Sequence, residues 1–328
     1  MEIFNPDEFE NWLPSKLFEK EGELFLEWIY LWDVHLAKPF FDETLTCCRL
    51  KNSMKGAEQK GKRVTSIEFL SEVAQYLDSV DPSLFIFHTS RCGSTLSTQI
   101  LSLNSQNIVF PEYLIVDSIL RAQIQGNSVT IEKRKEWLRN LIKIIGQKRF
   151  PEEKRLIVKL DSWHFQFHGM IRELYPEVPF AILYREPDAI LRSNQKQWGM
   201  QFVSELIPPS IFNIEVDTST PFSMIEYADQ VLRSMYSSIL KIAVSDKNII
   251  LLDYCNGMVE NLMNLIKILN IESSFMNQKE VIERLQFHSK NPNNIFMEDE
   301  VQPQHFASDE TLQSYNQLKS YSELGVMI

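Results

Sequence analysis

At 328 residues the chain can bury a large core, and its length suits one α/β domain of enzyme size or such a domain with a smaller appendage. A formal net charge of -11 and a pI near 5.2 argue against broad electrostatic attraction to nucleic acid or anionic lipid, so any anionic ligand must be held by a local site. Cys47, Cys48, Cys92 and Cys255 lack C-x-x-C spacing and read as reduced thiols; no apolar run approaches the roughly 20 residues that cross a bilayer; and the acidic N-terminus is broken by Pro6 and Pro14. Together these predict a soluble, cytoplasmic, unprocessed protein.

Residues 1 to about 50 are rich in aromatic side chains separated by acidic ones, which predicts short helices and turns packed by rings. The stretch 51–63, KNSMKGAEQKGKR, is basic and carries two glycines, and reads as a solvated loop. Thr65-Ser-Ile-Glu68 has capping-box form, and Ile67, Leu70, Ala74 and Leu77 fall on one face of a helix expected over 66–78. Residues 1–80 are thus expected to form an aromatic-rich, mainly helical extension.

From residue 84 the pattern changes. Short apolar runs, LFIFH (84–88), NIVF (107–110), LIVKLD (156–161), FAILYR (180–185) and NIILLDY (248–254), alternate with longer amphipathic stretches. Runs without polar alternation suit strands buried on both faces, and their alternation with helices predicts a three-layer α/β/α domain with a central parallel sheet over 81–328. Helices are expected at 94–104, 131–145 (closed by Gly146), 163–175, 187–198, 224–244 and 257–269.

The first apolar run continues as FIFHTSRCGSTLSTQIL (85–101). A strand ending at His88, a short turn with Gly93 and a helix beginning near Ser94 would gather free backbone N–H groups and a helix dipole at one point, where an oxyanion binds. Gly93 permits close backbone approach, Ser94 and Thr95 add hydroxyls, and Arg91 adds a planar fork of donors. The Walker A pattern is matched poorly, because His88 stands at its first glycine and Ser94 at its lysine, which argues against magnesium-nucleotide hydrolysis. A phosphatase loop also fits poorly, since Cys92 is followed at once by glycine. A phosphate loop and a plain strand-to-helix turn remain as readings of this motif alone.

A second motif, ILYREPDAILRSNQKQW (182–198), ends a strand at Arg185, opens a helix at Pro187 and carries Ser193 two turns along. Arg185 and Ser193 could face one phosphate across the strand ends, where open α/β sheets bind ligands. Together the two motifs resemble the PAPS-dependent sulfotransferases, in a bacterial-type branch, PAPS being 3′-phosphoadenosine 5′-phosphosulfate. Arg91-Cys-Gly-Ser-Thr95 matches that family's [KR]-x-G-[ST]-[ST] loop, and Arg185-Glu-Pro with Ser193 matches its R-x-P-x-x-x-x-x-S. Stretches 159–187 and 249–271 are also similar to the family, with Cys255 and Asn256 in place of its usual acidic pair, while the first 80 residues have no counterpart.

The resemblance implies that Arg91, Cys92, Gly93, Ser94 and Thr95 cradle the 5′-phosphosulfate and that Arg185 and Ser193 hold the 3′-phosphate. Lys290, in FHSKNPNN (287–294), would close over the latter. It implies sulfuryl transfer without a metal to a small-molecule or carbohydrate acceptor; arginine rather than lysine at position 91 favours a sugar-like or other non-phenolic one. The acceptor must lose a proton. Glu112, in VFPEYLIVD, is the candidate base, balanced against a solvated turn glutamate; His88 either reaches the same pocket or is tied to backbone; Asp161, beside His164, reads as a helix N-cap in preference to a base. Segment 194–223, with Trp198, Phe202, Pro208 and Pro209, is expected to line the acceptor site. Two rival functions stay open. One is a P-loop kinase using ATP and magnesium, since LIVKLD and IILLDY resemble runs that end in a magnesium-positioning aspartate. The other is a catalytically silent nucleotide-binding protein.

Overall fold

The computed structural model of the chain describes residues 5–215, 223–287 and 305–325. After a single 3-10 turn at Pro6–Phe9, β1 (Trp12–Lys20) and β2 (Glu23–Tyr30) pair antiparallel, with Lys20 opposite Glu23 across a two-residue turn. Glu21 and Gly22 both have positive φ, 55° and 82°, as a type I′ hairpin turn requires. Helix α1 (Phe41–Ser53) follows, then β3 (Arg63–Ser66), which adds antiparallel to β2, and helix α2 (Leu70–Tyr76). Of the short helices and turns expected for residues 1 to about 50, Pro6–Phe9 and Phe41–Ser53 are helical, whereas 12–30 form a hairpin instead. In β2, Leu24, Leu26 and Trp28 alternate with exposed or half-buried neighbours, a two-residue period that fits a strand and no helix. The expected capping box is also altered. Ser66, not Thr65, receives the Glu68 N–H, while the Thr65 hydroxyl accepts from Trp28 Nε1 at 2.9 Å.

The remaining elements are β4 (Pro82–His88), α3 (Ser94–Leu101), β5 (Asn107–Pro111), α4 (Leu114–Leu120), a small hairpin of β6 (Gln123–Ile124) and β7 (Asn127–Ser128), α5 (Ile131–Ile145), β8 (Arg155–Lys159), α6 (His168–Leu174), β9 (Phe180–Tyr184), α7 (Pro187–Lys196), α8 (Met224–Ser245), β10 (Ile249–Asp253), α9 (Met258–Ile268), α10 (Lys279–Gln286) and α11 (Asp309–Gly325). Each of the five apolar runs forms a strand, and these build one parallel sheet in the order β10-β9-β4-β8-β5. Alternate residues enter different layers. Phe85, Phe87, Leu156, Val158, Phe180 and Ile182 pack on one face with α5, α6, α7 and α8, whereas Leu84, Ile86, Ile157, Ala181 and Leu183 pack on the other with α3 and α9. This two-sided burial is why the strands carry no polar alternation.

The hydrophobic core runs without a break from the N-terminal strands into the first of these layers: Phe9, Trp12 and Leu26 belong to the cluster that contains Phe110 and Leu141. Polar ties reinforce the contact. Tyr113 donates its hydroxyl proton to the Pro14 carbonyl, and Gln147 both accepts from the Asn11 N–H at 2.7 Å and donates to the Trp12 carbonyl at 3.1 Å. No described helix is long and apolar enough to cross a membrane.

Candidate active site

Neighbouring strands β4 and β9 send their chains to opposite faces of the sheet. The turn after β4 leads into α3 in one layer, and the turn after β9 leads into α7 in the other, with Ile190 and Leu191 buried there. Between such strands the loops diverge and leave a crevice at the C-terminal edge, the position at which open α/β sheets bind ligands.

The turn after β4 is made by two residues in the left-handed region, Arg91 (φ 57°) and Gly93 (φ 83°), before α3 begins at Ser94. A side chain at 93 would be strained by φ alone, and its Cβ would lie 2.9 Å from Met258 Sδ and 3.2 Å from the Tyr254 ring. Glycine therefore lets the turn sit directly on Tyr254. That ring in turn carries the Arg185 guanidinium, 4.3 Å above its centroid.

The two sequence motifs meet here. Arg185 Nη1 donates to the Arg91 carbonyl at 3.1 Å, Asn194 Nδ2 donates to Ser90 Oγ at 3.3 Å, and Arg91 Nη2 donates to the Gln197 carbonyl at 2.9 Å. Tyr236 fixes the next peptide by donating to the Arg185 carbonyl at 2.6 Å. Ser193 lies half-buried on α7, one residue before Asn194. Pro187 opens α7 as expected, and Glu186 caps it by accepting from the Asp188 and Ala189 N–H groups at 2.9 and 2.8 Å. Arg91 differs from expectation in one respect: its guanidinium reaches across to the end of α7 instead of folding over its own turn. Cys92 is buried, with its thiol donating to the Thr89 carbonyl at 2.9 Å, so only its backbone can face a ligand. Burial would raise that thiol, but the His88 hydrogen bond and charge outweigh it and lower its pKa.

A buried charge cluster lies beneath the turn. Lys159, at the end of β8 and with a side chain 0% exposed, places Nζ 2.6 Å from Glu112 Oε1 and 3.2 Å from Thr95 Oγ1. Sequence reasoning passed over this residue, although a lysine inside LIVKL, in a strand buried on both faces, must find an anion there. Glu112 adopts φ 50° after β5, donates its N–H to the Lys159 carbonyl at 2.9 Å and turns its carboxylate inward. His88 Nδ1 donates to the Thr89 carbonyl at 2.8 Å, while Nε2 lies 3.2 Å from Glu112 Oε1, outside hydrogen-bond alignment. Burial would raise the Glu112 carboxyl, but the Lys159 charge and the His88 contacts hold it well below the usual carboxylate range. For His88, burial and Lys159 act downward, yet the close approach of Cys92 and of the Glu112 carboxylate prevails and pushes it up to about 9.

Asp161, two residues beyond Lys159, caps no helix. The turn that follows has Trp163 at its cap position without a side-chain bond, and Asp161 donates its own N–H to His164 Nδ1 at 3.2 Å. His164 Nε2 donates to Asp117 Oδ1 at 2.9 Å, and Asp117 also accepts from Trp163 Nε1 at 2.7 Å and Arg121 Nε at 2.9 Å. Burial would raise Asp117, but these bonds, that of His164 first, hold it well below the carboxylate range. Asp161 is the reverse case. Burial raises its carboxyl to about 7, opposed by His164 and reinforced by the charges of Glu112 and Asp117.

Lys290 and positions 216–222 of the expected acceptor-lining segment fall outside the described residues. Of that segment's other residues, Phe202 is buried and meets Trp198 edge-on, with ring centroids 6.2 Å apart.

No protein-family model matches the chain. Over 77 residues it is 34% identical to nodulation protein NoeE of Sinorhizobium fredii, a match that takes in 23% of this chain and only 18% of that relative. Two solved structures with a similar chain path are a sulfotransferase domain from the curacin biosynthetic pathway and a mouse sulfotransferase complexed with PAP. The chain resembles the sulfotransferases. The curacin domain is 16% identical, with 74% of this chain and 99% of that one covered at a TM-score of 0.46; the mouse sulfotransferase is 13% identical, with 80% and 94% covered at 0.37.

Proposed function

We propose that the chain is a sulfotransferase that moves a sulfuryl group from PAPS to a hydroxyl or amine of a small-molecule or carbohydrate acceptor. The observation that supports this reading is the joining of the two sequence motifs, through the Arg185 bond to the Arg91 carbonyl, at the C-terminal edge of the sheet. Arg185 and Ser193 would hold the 3′-phosphate, a group that ATP and ADP lack. Backbone N–H groups of the turn, with Ser94 and Thr95, would receive the 5′-phosphosulfate at the start of α3.

In sulfuryl transfer the acceptor oxygen bonds to sulfur while the bond from sulfur to the bridging phosphate oxygen breaks, leaving its electron pair on that oxygen. Lys159, held against Thr95, supplies a fixed cation from beneath the turn, and Arg91 supplies a second from its rim. Preorganised charges of this kind stabilise the leaving oxygen, and removing one donor typically costs about 3 kcal/mol, roughly a hundredfold in rate. The chemistry requires no metal in this scheme. Glu112 keeps the Lys159 ammonium in place.

Calorimetry tests the assignment. The protein should bind adenosine 3′,5′-bisphosphate in preference to ADP, and Arg185→Ala should abolish the preference. Equal binding of both nucleotides by the wild type would overturn the reading and leave a nucleoside-diphosphate or kinase-type site in its place.

A further inference from the structure

The reaction needs a proton acceptor, and three titratable groups stand at the strand ends around the crevice. His88 is committed: Nδ1–H serves the Thr89 carbonyl, and the ring is held protonated well above neutrality. Glu112 is locked to Lys159 at 2.6 Å and is far too weak a base to draw a proton from an alcohol near neutral pH. Asp161 is neither committed nor locked. No described side chain or backbone N–H donates to its carboxylate. Its nearest candidate, His164 Nε2, lies 3.7 Å from Oδ2 and directs its proton to Asp117 at 2.9 Å instead.

We propose that Asp161 is the general base that takes the acceptor's proton, and that His164 positions it. The proposal rests on the sulfotransferase reading. Asp161 follows two residues after β8 ends at Lys159, on the sheet edge between the turn after β4 and Glu112 after β5. Its side chain is 10% exposed, sealed except toward the outside, and carries two oxygens with open lone pairs. The groups that face it are Glu112 from β5, Asp117 from α4, His88 from β4 and His164 from its own turn. The two acidic neighbours and burial favour the protonated form, which brings the carboxyl into the range where a base works best at neutral pH.

His164 sets this up through both ring nitrogens. By accepting the Asp161 backbone N–H at Nδ1 it fixes the peptide, and by giving its only remaining proton to Asp117 it withholds a hydrogen bond that would weaken Asp161 as a base. Oxygen and nitrogen atoms of Asp117, Asp161 and His164 lie within 4.8 Å of one another, a spacing that could suggest a cation site. The bonding argues otherwise. Asp117 is taken up by Arg121, Trp163 and His164, and neither ring nitrogen of His164 has a lone pair to spare. In the step itself the acceptor O–H proton passes to an Asp161 oxygen as the O–S bond forms, the bridging oxygen keeps the electron pair of the broken bond, and the Asp161 carboxyl afterwards returns its proton to water.

Two measurements on the full chain test this. Protein labelled with carboxyl-13C aspartate and saturated with adenosine 3′,5′-bisphosphate should show one aspartate resonance that titrates between about pH 6 and 8. It should vanish in Asp161→Asn and shift in His164→Gln. Release of labelled sulfate from PAPS with water as the probe acceptor should rise with pH through the same range and fall by about a hundredfold or more in Asp161→Asn, with nucleotide affinity unchanged. Absence of that resonance, its survival in Asp161→Asn, or full sulfate release by Asp161→Asn would each overturn the proposal. Failure of the wild type to prefer the bisphosphate over ADP would instead refute the sulfotransferase reading, so the two failures are distinguishable.

Discussion

Replacing Glu112 with glutamine keeps the side chain's shape and removes its charge, so the variant isolates what the buried pair contributes. Lys159 is fully enclosed, and among the described residues the only carboxylate within reach of its ammonium is Glu112, at 2.6 Å. Removing one partner of a buried pair costs about 3–5 kcal/mol, because an uncompensated charge stays in low dielectric. Lys159→Met should cost less, since it leaves Glu112 with His88 Nε2 at 3.2 Å, whereas Glu112→Gln strands both cations. The double variant Glu112→Gln/Lys159→Met has neither charge, and replacing such a pair by apolar groups is often close to neutral. Urea unfolding of the four proteins at pH 7 therefore should show two destabilised singles, Glu112→Gln the worse, and a double variant more stable than Glu112→Gln alone. At roughly 2 °C per kcal/mol, Glu112→Gln should lower Tm by about 6–10 °C. Additive losses in the double variant would refute the pairing, because independent sites add and coupled ones do not.

Two further outcomes follow from the same turn. His88 has its folded pKa raised to about 9, above the ordinary value near 6.5, so its contribution to stability is complete below about pH 6.5 and is lost as pH rises through 9. That loss is on the order of 3 kcal/mol by linkage; urea midpoints between pH 6.5 and 9.5 should show it, and an equally steep decline in His88→Gln would count against the assignment. Gly93→Ala places a Cβ at φ 83° against Met258 and Tyr254, so it should destabilise the fold by about 1–2 kcal/mol and weaken adenosine 3′,5′-bisphosphate binding roughly tenfold or more. Unchanged affinity by calorimetry would show that the close approach of turn and ring is dispensable.

The parallel sheet was legible because burial on both faces removes polar alternation, and LFIFH, NIVF, LIVK, FAILY and IILLD each carry that mark. The hairpin of β1 and β2 left a signal that aromatic content obscured. Leu24, Leu26 and Trp28 recur every second residue after a turn at Glu21 and Gly22, a period that only a strand supports. Lys159 was readable in principle from its apolar surroundings, whereas its partner was not, since Glu112 joins it only when β5 lies beside β8. Asp161 misled for a related reason. A carboxylate just before a helical turn reads as a cap, but no described N–H reaches the Asp161 side chain, and the residue's own N–H goes to His164, whose ring also meets Asp117, 47 residues away in sequence. Local pattern carries elements and turns well; charge pairing across strands is a property of register.

The crossing bonds from Arg185, Asn194 and Gln197 have a consequence for association. A turn that is shaped only when its ligand arrives must surrender conformational freedom at that moment, and the affinity falls by the same amount. Here the β4–α3 turn is gripped from the far side of the crevice by residues about 100 positions later in the chain, so its ordering belongs to folding. The nucleotide proposed for this site would meet a turn already shaped, and what the contacts yield on binding would be left to serve affinity and alignment.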